Sequence, residues 1–262
     1  SIVGTGIFVS IAIATQVAMK KDVPVQTLFT REDTTRHGTY RPQALQILRA
    51  GLDADGWPVA WHHRVTGPTP AGLMTGGSEN PNYSFPNYLV DSALEDWGIP
   101  LGPLRSVAHP HLAFAVESFI DECAHAAGKD SLEYRRHLMR DANPRLLNCL
   151  EMAAEKANWG RPMGERQGQG MASWFCFQGY LAAVAEVTVL DDGTVRVDRI
   201  VTASDHGIIT NPGAVVRQIE GGTVIALTQA LKSEITINEG AAVESNFHDY
   251  PLLTMAETPE FE

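Results

Sequence analysis

Apolar and polar positions along the chain switch repeatedly between two periods, and each change of period marks an element. The opening run SIVGTGIFVSIAIATQVAM is broken by Thr5, Ser10, Thr15 and Gln16 and halted by Lys20 and Lys21. It is shorter than the ~20 apolar residues a membrane-spanning helix needs. It also lacks the basic start and small-residue cleavage site of a signal peptide, and so predicts a buried helix. VPVQTLFT (23–30) alternates and predicts a strand ending in a charged burst, Arg31 to Arg41. Two further apolar runs within 44–67 flank Asp53-Ala54-Asp55-Gly56, a hairpin signal with Gly56 at positive φ. The proline-rich stretch 68–103 shows little periodicity and predicts a long irregular surface segment.

A helical block follows. Val116, Phe119, Ile120, Cys123 and Ala127 share one face of a helix over 112–127, stopped by Gly128. Ser131 opens a second, short helix, and Pro144 opens a third that turns Leu147, Leu150, Ala154 and Ala157 inward. WGRPMGERQGQGMA (159–172) predicts a turn-rich hinge. Two strands around Asp191-Asp192-Gly193, a helix over 211–234 entered through Asn211-Pro212, and a hairpin at Glu239-Gly240 complete the pattern. The final MAETPEFE predicts neither helix nor strand, and the ends suggest a piece of a longer protein. The fold class expected is α+β, with mixed sheets and packed helices. A boundary near 160–168 would divide it into one subdomain over 1–165 and another over 166–262.

Composition narrows the partners. With 31 acidic against 20 basic residues and a net charge of −11 over 262 residues, no broad positive surface is available, so nucleic acid is not an expected partner. The three cysteines, Cys123, Cys149 and Cys176, are too dispersed for a disulfide framework or metal clip and predict unpaired thiols.

Against that acidic background, four stretches draw attention. The burst at 31–41 is the first. In GPLRSVAHPH, Arg105 sits on a loop before a helix, where guanidinium and free N–H groups together suit an anion or a carbonyl oxygen; pairing with a surface carboxylate is the plainer alternative. In ASDHGIITNPGAVVRQIEGG, a strand ends at Asp205-His206-Gly207, a turn carries Asn211, and a helix carries Gln218, Gly221 and Gly222, small positions that admit a bulky neighbour. An Asn-Pro turn with tight helix packing explains the same residues. The glycines lack GxGxxG spacing, and no GxSxG is present. The histidines, among them His62, His63, His109 and His111, have no spacing that resembles a zinc or iron site. A metal-free hydrolase built on Asp205 and His206 would lack a nucleophile.

Four motifs in order carry a family resemblance: TREDTTRHGTYRPQALQILRAGLDADGWPVAWHHRVTGP, PLRSVAHPHLAFAVESFIDECAHAAGKDSLEYRRHLM, AEVTVLDDGTVRVDRIVTASDHGIITNPGAVVRQIEGG and ESNFHDYPLLTM. From about Val23 onward the chain resembles the molybdopterin-binding large subunits of the xanthine oxidase family. The branch it is most similar to holds the isoquinoline 1-oxidoreductase beta subunits and membrane-associated aldehyde dehydrogenases. The resemblance implies a molybdenum ion held by a pterin dithiolene, often as the cytosine dinucleotide. It further implies hydroxylation of a carbon next to nitrogen, or aldehyde oxidation, with oxygen from water. Arg105 matches the arginine over the substrate pocket; His109, Asp205, Gly207, Asn211, Gln218 and Gly221 match positions that pack on the pterin and its phosphates. Gly4 and Gly6 match only weakly a glycine-rich GGGFG signature. Arg31, Asp33, Arg36 and Arg41 would then brace the pocket and subunit contacts.

The family's general base, a glutamate in a GxGE stretch, has no match among Glu257, Glu260 and Glu262. The resemblance therefore implies a chain that is catalytically incomplete alone and needs the remainder of the molybdenum subunit. It also implies a 2Fe-2S small subunit, with a cytochrome c subunit as a further partner, and a periplasmic or periplasm-facing, membrane-associated setting, the cytoplasm being the alternative. A non-catalytic remnant or assembly subunit that keeps the fold without metal is the alternative.

Overall fold

The computed structural model describes residues 15–20, 24, 26, 28–68, 74–78, 82–102 and 104–262. The glycines at 4 and 6, and most of the predicted opening helix, lie outside them. The end of that helix, 15–20, is helical but exposed, with Met19 at 80%; Thr15, Gln16 and Lys20 keep this turn in solvent, against the expected burial.

Nor do Leu28 to Thr30 form a strand: they lead into helix α1 (Arg31–His37). The reason is a capping box. The Thr30 hydroxyl accepts the Asp33 N–H (3.2 Å), and the Asp33 carboxylate accepts the Thr30 N–H (3.1 Å). Glu32 and Asp33 in the first turn, with Arg36 and His37 in the last, suit the helix dipole. The charged burst is thus a capped helix that begins where the strand was expected.

The hairpin of β1 (Leu45–Leu52) and β2 (Pro58–Gly67) is antiparallel, with Gly56 at φ 82°. Trp61, His63 and Val65 alternate inward. Within the segment expected to be irregular, β3 (Tyr88–Leu94) adds in parallel to β2. Asp91 there takes a bidentate pair from Arg64 on β2 (2.7 and 2.8 Å), which holds its carboxyl down to about 2.

Helices α2 (His109–Ala126), α3 (Ser131–Met139) and α4 (Pro144–Ala157) follow as the pattern predicts. Asp130 caps α3, and Asn143 caps α4 ahead of Pro144. The expected hinge is turn and irregular backbone over 159–166, but its second part, 167–172, begins a strand, β4 (Gln167–Cys176), paired along its length with β5 (Gly179–Val189). Gln-Gly-Gln-Gly hides it, because two glycines remove the side chains that would show alternation. β5 pairs antiparallel with β6 (Val195–Asp205), and helix α5 (Pro212–Leu231) leads to the small hairpin β7 (Ile237–Asn238) and β8 (Ala241–Ala242).

The C-terminal residues are anchored after all. A 3-10 turn at Met255–Glu257 precedes β9 (Glu260–Phe261), which joins β6 in parallel to give the order β4-β5-β6-β9. Glu262 completes that edge by donating its N–H to Ile200 O (3.0 Å) and pairing with Lys156 and Arg199.

The main core packs α2, α3 and α4 between Trp61 of the first sheet and Met171, Ala182, Val184 and Val201 of the second, so it draws on both sides of residue 165. Cys123, Cys149 and Cys176 are free thiols. Among the described residues no helix is long and apolar enough to cross a membrane.

Inside the core lies a charged cluster. Arg135 is fully buried and Glu117 is 4% exposed. The Arg135 guanidinium donates to the Glu117 carboxylate (3.2 Å) and main-chain oxygen (3.0 Å) and pairs with Asp121. Tyr83 (2.6 Å) and the Ser173 N–H (2.9 Å) complete the shell around Glu117. The cluster joins α2, α3, β4 and the segment before β3. Burial pushes the Glu117 carboxyl up, opposed by Arg135 and these donors.

Two measurements test these assignments. Arg135→Met leaves Glu117 buried without its partner and should lower the unfolding free energy by about 3–5 kcal/mol. Arg136→Met breaks a half-exposed pair with Glu151 and should cost under about 1 kcal/mol; urea denaturation of both reads the contrast. His63 is closed off from solvent beside Gln46 (2.8 Å), and burial holds its imidazole down to about 4 from 6.5. The unfolded chain therefore binds the extra proton first, so stability is full above pH 6.5 and falls as pH drops toward 4. His63→Gln should flatten that slope, with a difference from the native protein of order 2–3 kcal/mol near pH 4.

Candidate functional site

The loop before α2 is built to hold Arg105 in one place. Its start is tied to the segment after α1: Tyr40 donates its N–H to Pro100 O, and Gly102 donates its own to Tyr40 O, both at 3.0 Å. A Cβ on Gly102 would lie 2.7 Å from the Thr39 hydroxyl oxygen, so only glycine allows this approach. Beyond Arg105, Ser106 (φ 70°) and Val107 (φ 50°) are both left-handed. That conformation is strained, above all for a β-branched side chain, at roughly 1–3 kcal/mol per residue.

Arg41 holds the strained turn. Its guanidinium donates to Arg105 O and Val107 O, each at 2.7 Å. Leu104 O accepts the Val107 N–H (2.8 Å), and Ser106 O accepts that of His109 (3.0 Å). Arg41 thus braces the loop that carries Arg105. Asp33 is the carboxylate of the α1 capping box, and Arg36 reaches Val243 O at 3.4 Å.

The side chain of Arg105 crosses to α5, where its Nη2 donates to the Gln218 amide oxygen (3.0 Å) and main-chain oxygen (3.3 Å). Gly222, one turn on, makes room: a Cβ there would stand 3.4 Å from Nη2. The bulky neighbour admitted at this glycine is Arg105 itself. The Cβ position of Gly221 meets nothing within 4 Å and opens away from this contact. Among the described residues the guanidinium binds the helix and no carboxylate, and its Nε and Nη1 have no protein acceptor.

A cleft of about 650 Å³ lies here between the loop, α5 and the end of β6. Arg105, Gln218 and His206 are among its polar groups, with Arg41, Ser106, Thr223 and Gln229 beside them; Leu181, Val215 and Ile219 are among its apolar walls, and none of the described residues lining it is acidic.

The other expected positions fall around this cleft in distinct ways. Asp205 is committed to Arg145 on α4 by a bidentate pair (2.7 and 2.8 Å) and also accepts the Gly207 N–H (3.0 Å), which holds its carboxyl down to about 2. It is not a free base for His206. Asn211 caps α5, its side chain accepting the Ala214 N–H at 3.0 Å, and Gly207 takes φ 71° in the turn before it. His109 stands behind the loop, accepting the Trp174 indole N–H (3.0 Å) with its ring against Gly77, and is not a cleft residue. His62 and His63 point to opposite partners, Asp91 and Gln46, and His111 meets Met74 O at 3.0 Å. The positions of Gly4 and Gly6 are not described.

Sequence reasoning did not find the strained Ser106-Val107 turn, the contact of Arg105 with Gly222, or the capture of Asp205 by Arg145. The four-residue spacing of Gln218 and Gly222 on one helix face was the available signal for the second. Nothing in the sequence marked the others.

The residues present suit a pterin–dithiolene group with a phosphate tail. Such a group offers a planar ring with polar edges and net negative charge. Here an unneutralised guanidinium and an amide meet apolar walls in an acid-free recess of an acidic chain.

Comparison with known proteins follows the same line. Models described as the molybdopterin cofactor-binding domain match residues 5–139 and 115–259. The isoquinoline 1-oxidoreductase beta subunit of Brevundimonas diminuta is 27% identical over 90% of this chain and 32% of that protein. A nicotinate dehydrogenase subunit of Pseudomonas putida is 30% identical over 91% of this chain and 23% of its own. The chain thus spans about a quarter to a third of the length of these relatives. The crystal structure of quinoline 2-oxidoreductase from Pseudomonas putida 86 shares the fold with a TM-score of 0.79 at 13% identity, over 95% of this chain and 58% of that one. With family models matching from residue 5 to residue 259 and the fold shared as well, the chain belongs to the molybdopterin-binding large-subunit family of xanthine oxidase and aldehyde oxidase.

Proposed function

We propose that the chain forms part of the active site of a molybdenum hydroxylase that hydroxylates an N-heterocycle beside its ring nitrogen or oxidises an aldehyde, with water as the oxygen source. The observation that carries this is Arg105, fixed by a strained loop and the Arg41 clamp, facing an acid-free cleft with Gln218 and His206. The relatives' names, an isoquinoline and a nicotinate enzyme, support the substrate class. When bound, the molybdenum–pterin group supplies the two-electron redox chemistry.

The chain's own residues bind, orient and stabilise charge. Gln218 fixes the plane of the Arg105 guanidinium, leaving Nε and Nη1 to donate to a substrate oxygen or ring nitrogen on which negative charge grows. Leu181, Val215 and Ile219 keep water from that contact and so strengthen it. The base that takes the water proton belongs, in this reading, to the remainder of the molybdenum subunit. The same reading gives the cytosine dinucleotide form of the pterin, and a 2Fe-2S small subunit to take the electrons, with a cytochrome c subunit as a further acceptor. Dispersed, free cysteines, two of them buried, support placing the clusters on another chain.

The test is the full-length protein purified from a molybdenum-replete host, with metal content by inductively coupled plasma mass spectrometry and dye reduction by isoquinoline or an aldehyde. Stoichiometric molybdenum with substrate-dependent reduction is expected; a folded, metal-free protein would contradict the reading and favour a remnant. Arg105→Ala should lower kcat/KM about a hundredfold or more without loss of molybdenum, and Arg105→Lys should recover part. Arg41 borders the cleft but spends its terminal nitrogens on the loop; Arg41→Leu should lower kcat by up to about a hundredfold, because the loop it holds sets the position of Arg105.

A further inference from the structure

A second recess, of about 430 Å³, opens beside the Arg105 cleft and shares Arg41 and Gln229 with it. The fold forms it from three segments, α1 and the residues after it, Trp97 to Leu101 with Leu104, and the chain from the end of α5 through Tyr250, with Pro68 beside them. These are bound to one another. The ladder between Tyr40 and Pro100–Gly102 joins the first two, while Glu32 accepting from Asn246 and Arg36 donating to Val243 O join the first and third. The recess is therefore preformed.

Its chemistry is unusual for a chain of net charge −11. Tyr40, Trp97 and Tyr250 provide ring surface, Arg31 and Arg41 provide positive charge, and none of the described residues lining it is acidic. The neighbouring carboxylates are engaged elsewhere: Glu32 by Asn246, Asp33 in the α1 cap, and Glu244 by the Thr236 N–H at 2.7 Å. Arg41 spends its terminal nitrogens on the Arg105 loop. Arg31 lies over the Phe247 ring at 4.8 Å and, among the described residues, forms no ion pair.

We propose that this recess is a subsite for a planar aromatic anion, with Arg31 as its counter-charge and Trp97, Tyr40 and Tyr250 as the surface for its ring. It deepens the functional reading and rests on it in one respect: through Arg41 and Gln229 the recess leads to the Arg105 cleft, so an aromatic carboxylate held here stands beside the site of oxidation.

The test is equilibrium binding of benzoate, benzamide and inorganic phosphate to the purified full-length protein, by tryptophan fluorescence and calorimetry. Benzoate should bind at least about tenfold tighter than either of the others. Arg31→Gln should remove the preference over benzamide and Arg31→Lys should keep most of it; Arg31 is exposed at the start of α1, so both variants should keep the native melting temperature. Trp97→Ala should weaken benzoate and benzamide alike. Equal binding of benzamide, phosphate binding as tight as benzoate, no benzoate binding, or a preference that survives Arg31→Gln would each overturn the subsite. Molybdenum content of the same preparation separates the two readings. Metal without benzoate preference sinks the subsite alone, and benzoate preference without metal sinks the oxidation chemistry and leaves the subsite standing.

Discussion

The buried ion cluster around Arg135 is the constraint from which the rest of the architecture follows. A guanidinium closed off from water is tolerable only when its donors meet oxygens and its charge meets charge. Arg135 achieves this by drawing on Glu117 and Asp121 of α2 and on Met171 O of β4, at 3.4 Å. Ser173 of β4 donates back to Glu117 at 2.9 Å. The requirement locks α2 against the second sheet in one register. Because the Arg105 loop runs straight into α2, and β6 of that sheet ends just before His206, the same lock sets the distance between the two sides of the cleft. A cluster of this kind adds geometric definition more than net stability, since apolar packing could replace its energy but not its orientation.

On that frame the site is assembled from strain and restraint. Ser106 and Val107 hold left-handed conformations that a free loop would relax from, and Arg41 binds the two carbonyl groups that keep them there. Arg105 consequently reaches α5 with its direction fixed before any ligand arrives, and Gly222 lets it lie close to the helix. Preorganised donors of this type lose little to reorganisation when charge develops nearby. The carboxylates of an acidic chain are meanwhile kept out of the cleft, Asp205 by Arg145 most directly.

Much of this was legible in the sequence. The β1–β2 and β5–β6 hairpins were marked by Gly56 and Gly193, and α2 to α5 by their spacing and caps, because those signals are local. Arg105 and Gln218 were singled out separately as candidates, and the structure brings them to one cleft with His206, the residue after β6, while Asp205, Gly207, Asn211 and Gly221 are not among its lining. The misses share a cause. The Thr30–Asp33 capping box overrode the alternating pattern before it, β4 was masked by glycines that carry no side-chain period, and β3 and β9 exist only through pairing with distant strands. His109 drew notice for its position near Arg105, yet its ring is turned to Trp174, a contact 65 residues away. Long-range pairings and backbone strain leave little trace in a single sequence.

The most direct test of the account is where the metal sits. Crystals of the full-length protein measured across the molybdenum absorption edge give its position by anomalous difference density. The account predicts a single strong peak in the cleft bounded by Arg105, Gln218 and His206, on the side left open by the guanidinium. A peak elsewhere in the molecule, or a cleft filled by another segment of the protein, would contradict it.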